Sequence, residues 1–284
     1  MISALTEDVL INFIAYCQSL IGLKFSTIKL YLAGVRHFGI TYANRNPLVD
    51  QYRNQLLRLH NVLQSVKNSD LKSAGKKLPI TYVLLAKMFN YLKNGIFNDV
   101  TDLVLQTACV VAFFGFLRCR QFTCKTNFDS NIHLCIGDID FASHDCVKLF
   151  LKTSKTDVYR QGVYIKLLKT DSDLCPYKLL RKLIMNRKSS IATEKDPLFV
   201  EEHNIALFRK YFMSKLKTLL SYLDFVHSDY SGHSFRIGAA TTCASNGIQD
   251  HMIQTLGRWK SNCLMRYIRM SNRDIIYAQK MMCH

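Results

Sequence analysis

Residues 103–122 read LVLQTACVVAFFGFLRCRQF. From Leu103 to Leu117 the run carries no charge, and its polar side chains are Gln106 and Thr107. A helix that is apolar on nearly every face has to be enclosed by other elements, so a buried central helix is expected over Val100–Leu117. The run falls short of the roughly 18 uncharged apolar residues that a membrane span needs, and nothing longer occurs elsewhere. It ends in Arg118, and an arginine closing a buried helix calls for a fixed anionic partner, either a protein carboxylate or a phosphate.

Downstream of this helix a strand-like stretch covers His133–Phe141. Then Val147, Leu149 and Leu151 alternate with polar residues, and so do Val163, Ile165 and Leu167. That period of two on both sides of TSKTDVYRQG (153–162) predicts a β-hairpin with a polar, cationic tip. From Pro176 onward helical spacing returns: one run at Ile205–Tyr222, one after Ser234, and one opening near Asp250 after Gly247 ends its predecessor.

Upstream, Tyr82–Lys93 reads as a helix, preceded by the polar, Gly-containing stretch NSDLKSAGKK (68–77). Its composition makes 68–77 the expected linker. Before it, three helical patterns fill residues 1–67: Thr6–Leu20, a second opening at Ser26, and a third opening at Asn46–Pro47 and running through Leu63. The expected fold is therefore mainly α with a small antiparallel β-sheet (α+β), in two domains, 1–67 and 78–284.

Composition narrows the function classes. The 284 residues carry 38 Lys+Arg against 21 Asp+Glu, a formal charge of +17 on a chain that is 49% hydrophobic. Such a chain buries a core, which excludes a disordered basic tail, and its surplus charge points to a partner made of phosphates. Ten Lys/Arg face four Asp/Glu within residues 1–77, so neither domain alone holds the charge. Two basic domains with a basic linker between them are suited to surround a rod-like polyanion. The ten cysteines form no C-x-x-C pair and the histidines no H-x-x-x-H pair, so no zinc site is expected. Thr6, Glu7 and Asp8 replace the basic start of a secretory signal, which predicts reduced thiols inside a cell.

Four local features could carry chemistry. GFLRCRQF (115–122) presents Arg118, and the hairpin tip presents Lys155. HSFRIGAATT (233–242) places His233 and Arg236 three apart in the first turn of a helix, where one face and the helix N-terminus both favour an anion. The small residues Gly238, Ala239 and Ala240 let that helix approach a neighbour closely. LGRWKSNCLMRYIRM (256–270) holds Trp259, the only tryptophan, and Tyr267 between Arg266 and Arg269.

In this order the four features resemble the tyrosine recombinase (phage integrase-like) family. KLPIT, SKTDVYRQG, HSFRIGAATT and the LGRW…YIR segment look most like the crypton and DIRS-like recombinases of eukaryotic mobile elements. The resemblance spans nearly the whole chain and implies a helical core-binding domain over 1–67, a linker over 68–77 and a catalytic domain over 78–284. It implies a catalytic set of Arg118, Lys155, His233, Arg236, Trp259 and Tyr267. Two arginines suit the two non-bridging oxygens of a phosphodiester because a guanidinium fork binds bidentately. By resemblance Lys155 protonates the leaving 5′-oxygen, His233 assists proton movement at the attacking side, and Trp259 orients the phosphate. The product is a 3′-phosphotyrosyl link that a 5′-hydroxyl reverses, so no cofactor, metal or ATP is expected.

The sequence departs from the family pattern twice. Gln121 stands three residues after Arg118, where an acidic residue is usual. Trp259 lies eight residues before Tyr267, whereas many relatives place their His or Trp nine before, where this chain has Arg258; either can fill the place, and Trp259 fits the family's chemistry better. Gln121 and Arg258 are thus expected as supporting residues. Lys29, Arg36, Lys76, Lys77 and Arg160 are expected to hold the duplex. Double-stranded DNA is the implied partner, bound by dimers on each site and a tetramer in synapsis, with no membrane association and a nuclear location. A DNA-binding relative with weakened cutting, and a type IB topoisomerase, are the alternative readings.

Overall fold

A computed structural model describes residues 5–73, 77–141, 143–153, 157, 159, 161–189, 191–259 and 268. The chain divides into two compact units, Met1–Lys76 and Lys77–His284.

The first unit is helical: α1 (Glu7–Ser19), α2 (Phe25–Ala43) and α3 (Leu57–Ser73). Leu10, Ile14 and Cys17 put one face of α1 against Ile28 and Leu32 of α2 and Leu59 and Val66 of α3. Thr6 caps α1, its hydroxyl accepting the Val9 N–H, and the Glu7 carboxylate accepts the Leu59 N–H at 2.9 Å, joining the starts of α1 and α3. The third helix begins at Leu57, ten residues after Pro47, the first helical position that Asn46–Pro47 suggested. Asn46 accepts the Leu48 N–H and Asp50 accepts those of Tyr52 and Asn54, so these side chains close turns instead of capping a helix. The bridge Val49↔Gln55 completes this loop. At the other end α3 continues through Ser73, so most of the expected linker is helix. Asp70 explains part of this, since its carboxylate accepts the Phe25 N–H at 2.5 Å and ties α3 to the start of α2.

The second unit places α4 (Tyr82–Lys93) and α5 (Asp99–Phe114) first. The enclosure of α5 is nearly complete: Leu103–Leu105 and Thr107–Phe113 are all buried. Helix α5 stops three residues short of expectation in a Schellman turn. Phe116 takes the left-handed conformation (φ 48°), its N–H reaching the Phe113 carbonyl while the Leu117 N–H reaches that of Ala112. Phe occupies the position where glycine is normal, one residue after Gly115.

The sheet is antiparallel in the order β1–β2–β3, with β1 (Ile139–Asp140), β2 (Cys146–Leu151) and β3 (Val163–Leu168). Its register sets Val147 opposite Leu167, Leu149 opposite Ile165 and Leu151 opposite Val163, so both alternating triplets share one buried face. The strand expected over His133–Phe141 shrinks to two residues because Asp138 folds back to accept the Cys135 N–H at 2.7 Å, closing a 3₁₀ turn. At the end of β2, Lys152 pairs with Asp138 and donates to the His133 carbonyl at 3.0 Å, which fixes the base of the hairpin.

The remaining helices are α6 (Pro176–Ser189), α7 (Arg209–Tyr222), α8 (Ser234–Ser245) and α9 (Asp250–Gly257). Helix α7 starts four residues later than expected, because Ala206 and Phe208 are taken by bridges to Val200 and Cys124.

Candidate active site

Helix α8 is positioned by a contact that only glycine permits. A Cβ on Gly238 would lie 1.7 Å from the Ile80 carbonyl oxygen, so α8 lies directly against the backbone of residues 77–81. The Ile80 N–H donates to the Ser234 carbonyl at 2.9 Å and the Leu78 N–H to Asp229, joining KLPIT to the start of α8. Lys77 belongs to this junction too, its Nζ donating to the Ser228 carbonyl at 2.6 Å.

His233 stands at the N-cap of α8 and Arg236 in its first turn. Arg236 is fully buried. Its Nη1 donates to the Phe116 carbonyl at 2.5 Å and its Nη2 to the Gly257 carbonyl. The guanidinium also lies over the Trp259 ring, 4.4 Å from the centroid. Trp259 in turn meets Phe116 edge to face with centroids 6.0 Å apart. A Cβ on Gly257 would fall 1.8 Å from the Trp259 ring, so glycine is what lets the indole fold back here.

Arg118 follows the Phe116 turn and is half-buried. The Gln121 amide oxygen accepts the Arg118 backbone N–H at 2.7 Å. Gln121 thus holds the main chain of Arg118, a task an uncharged acceptor performs as well as a carboxylate. Its Nε2 is buried with no hydrogen-bond partner among the described residues. Arg258, left-handed at φ 55°, donates from Nη2 to the carbonyls of Gly115 (2.9 Å) and Phe116 (3.3 Å), and from Nη1 to Leu256 (3.1 Å). Among the described residues no ion pair joins Arg118 or Arg258 to a carboxylate.

The electrostatics show how closely these groups approach. Burial lowers the His233 pKa from the ordinary 6.5, and the charges of Arg236, Arg118 and Arg209 lower it further, which keeps the imidazole neutral at pH 7. Burial and then the Arg118 charge pull Arg258 down to about 10, still charged at neutral pH. Arg209, at the start of α7, has no motif around it that marks it in the sequence. Only the fold brings its charge within reach of His233.

The structure therefore brings together Arg118, Gln121, His233, Arg236, Arg258 and Trp259, which are spread over 142 positions of sequence from Arg118 to Trp259. Lys155, Arg160, Lys76 and Tyr267 lie outside the described residues. Ile268, immediately after Tyr267, packs against the core of the second unit. Lys29 and Arg36 are exposed and seven residues apart, two turns along α2.

Helices enclosing α5 beside a small antiparallel sheet match the fold of the tyrosine recombinase catalytic domain. Solved structures agree. The XerH site-specific recombinase bound to a palindromic difH substrate, in a post-cleavage complex, matches with a TM-score of 0.67 and 16% identity, over 98% of this chain and 70% of that one. The Tn1549 transposon integrase in complex with transposon right-end DNA matches with a TM-score of 0.66 and 14% identity, over 98% and 85%. The XerA recombinase matches at 0.52 and 13%, over 99% and 84%. The sequence matches no protein-family model and no curated protein. At these identities the likeness establishes the fold, and the chemistry has to be argued from the residues.

Proposed function

We propose that this protein is a DNA-breaking and rejoining recombinase that works through a tyrosine-linked intermediate. The observation that carries the reading is the convergence of Arg118, His233 and Arg236 at one place in a recombinase fold. In the proposed reaction the Tyr267 hydroxyl attacks a DNA phosphodiester. The Tyr Oη–P bond forms and the P–O5′ bond breaks, leaving a 3′-phosphotyrosyl link and a free 5′-hydroxyl. His233, held neutral, takes up the tyrosine proton, and Lys155 delivers a proton to the departing 5′-oxygen. Arg118 and Arg236 neutralise the charge that builds on the non-bridging oxygens. A 5′-hydroxyl from a second duplex reverses the step, and the bond energy is kept throughout.

The neighbours XerH and the Tn1549 integrase were solved on DNA, which supports DNA as the partner of this chain. On this reading 1–67 is the core-binding domain, and exposed Lys29 and Arg36 of α2 hold the duplex together with Lys76, Lys77 and Arg160. Dimers on each site and a tetramer in synapsis supply the four tyrosines that two duplexes require. A resemblance to recombinases of eukaryotic mobile elements supports a nuclear site of action on this reading.

A duplex nicked close to the cleavage point traps the intermediate, because the short leaving strand diffuses away. The wild-type protein should form an adduct with labelled DNA that survives SDS, and Tyr267→Phe should form none. An adduct-free wild type that binds DNA tightly and in a salt-sensitive way would overturn cutting in favour of a binding role.

A further inference from the structure

We infer that the dipeptide Arg258–Trp259 is a two-headed brace that sets both phosphate-binding arginines, so that each residue acts on a different one. The inference rests on the recombinase reading for the identity of the phosphate, and on the structure for the brace itself.

The left-handed backbone of Arg258 (φ 55°, ψ 45°) follows immediately after α9 and sends two consecutive side chains to different targets. Arg258 reaches the carbonyls of Gly115 and Phe116, which lie three and two residues before Arg118. Trp259 lays its ring beneath the guanidinium of Arg236. The two heads also meet at one atom, because the Phe116 carbonyl accepts from both Arg236 and Arg258.

That atom belongs to the residue most in need of support. Phe116 is a bulky side chain in the left-handed region, a conformation that persists only where its surroundings over-determine it. Two guanidinium donors on its carbonyl and the Trp259 ring against its own ring supply that constraint. The turn in turn decides where Arg118 leaves the core. Arg258 is therefore a positioning residue for Arg118. Its terminal nitrogens donate to the carbonyls of Gly115, Phe116 and Leu256, which ties the guanidinium to the turn that precedes Arg118. Trp259 is a positioning residue for Arg236, and the property that matters is its aromatic face.

The test is a set of double-mutant cycles read in two assays. The first is the single-turnover rate of adduct formation on the nicked duplex. Arg258→Ala should lower this rate about 10²-fold, the cost of a misplacement of roughly 1 Å, with DNA affinity unchanged. Arg258→Ala added to Arg118→Ala should slow it no further, because the residue acts through Arg118. Trp259→Phe should keep most of the rate and Trp259→Ala should not. The second assay is calorimetric binding of inorganic orthovanadate, which needs no cleavage. Arg118→Ala and Arg258→Ala should each weaken it, and the double variant should be no weaker than Arg118→Ala alone. Arg258→Lys keeps the charge and checks folding; it should hold the wild-type melting temperature yet recover only part of the rate, because an ammonium lacks the fork that spans two carbonyls. Additive losses in either assay, wild-type protein that does not bind vanadate, or Trp259→Phe as impaired as Trp259→Ala would overturn the brace. Vanadate binding with the expected non-additivity but no DNA adduct would overturn the recombinase reading and leave the brace standing.

Discussion

Arg118 and Arg236 carry the same group, yet the regions that present them are built in opposite ways. Arg236 sits in a regular helix, α8, that is pressed against the backbone of residues 77–81 and is fully buried itself. Its guanidinium is held by two carbonyls and an indole. Arg118 follows a left-handed turn at Phe116 and is half-buried, and among the described residues its hydrogen bonds run through its backbone, whose N–H donates to Gln121. The first region is fixed by packing and the second by hydrogen bonds to a main chain under strain. In the first, the side chain that would meet the phosphate is also part of the core. In the second, core and function are separate, since Phe116 and Leu117 are buried while Arg118 extends from them.

The largest consequence is a split between stability and activity. Arg236→Ala takes the Arg236 donor from the Gly257 carbonyl and leaves the Phe116 carbonyl with Arg258 alone, and losing a charge-assisted partner of this kind costs about 1–3 kcal/mol for an orphaned group. Arg118→Ala removes a half-exposed side chain without an ion pair among the described residues, and its cost should stay within about 0.5 kcal/mol. Both should abolish most adduct formation, since each removes a donor worth about 10²–10³ in rate. Urea unfolding followed by the fluorescence of the single tryptophan, Trp259, measures the stabilities. Equal destabilisation by the two substitutions would break the comparison.

A smaller effect sharpens it by probing the packing that fixes α8. Gly238→Ala sets a methyl group 1.7 Å from the Ile80 carbonyl oxygen, and backbone cannot yield as a flexible side chain does. The expected loss is about 1–3 kcal/mol or more. Gly247→Ala, two residues beyond α8, meets nothing within 4 Å and pays only for its positive φ of 74°, about 1 kcal/mol. Calorimetric melting of the two variants ranks them, and a Gly247 variant as unstable as the Gly238 variant would show that α8 is not held by this approach.

The two regions also differ in how far sequence reveals them. Helix α5, the paired strands of the hairpin and the placing of His233 and Arg236 at a helix start depend on periodicity, spacing and small residues, all of which are local, so they were legible. The turn at Phe116 was not, because local preference asks for glycine in a left-handed position and Gly115 stands one residue too early. What holds Phe116 there comes from Arg236, Arg258 and Trp259, more than a hundred positions away. Arg209 was missed for the same reason. The helix expected at Asn46–Pro47 failed differently: Asn and Pro open turns as readily as helices, and Asp50, with acceptors for Tyr52 and Asn54, decides for the turn. Spacing alone left both Arg258 and Trp259 as candidates for one place, and their contacts differ: Arg258 reaches the Gly115 and Phe116 carbonyls, whereas Trp259 lies against the Arg236 guanidinium.

His233 gives the smallest but most local comparison, because its pKa is lowered by burial first and then by Arg236, Arg118 and Arg209 in that order. In the folded protein the imidazole takes a proton below the ordinary 6.5, while the unfolded chain takes it near that value. As pH falls from 6.5 toward the depressed native value, the unfolded state binds more protons, so His233 makes the fold less stable over that window and adds no further slope below it. His233→Asn should flatten this part of the stability curve. Carbon-13 labelled histidine, titrated by NMR, reads the side chain directly. Arg118→Ala should move the His233 midpoint up, toward 6.5 but short of it, since burial remains. A midpoint unmoved by loss of Arg118 would mean that the strained turn and the start of α8 do not face one another across a shared site, and the convergence on which the proposed chemistry depends would be lost.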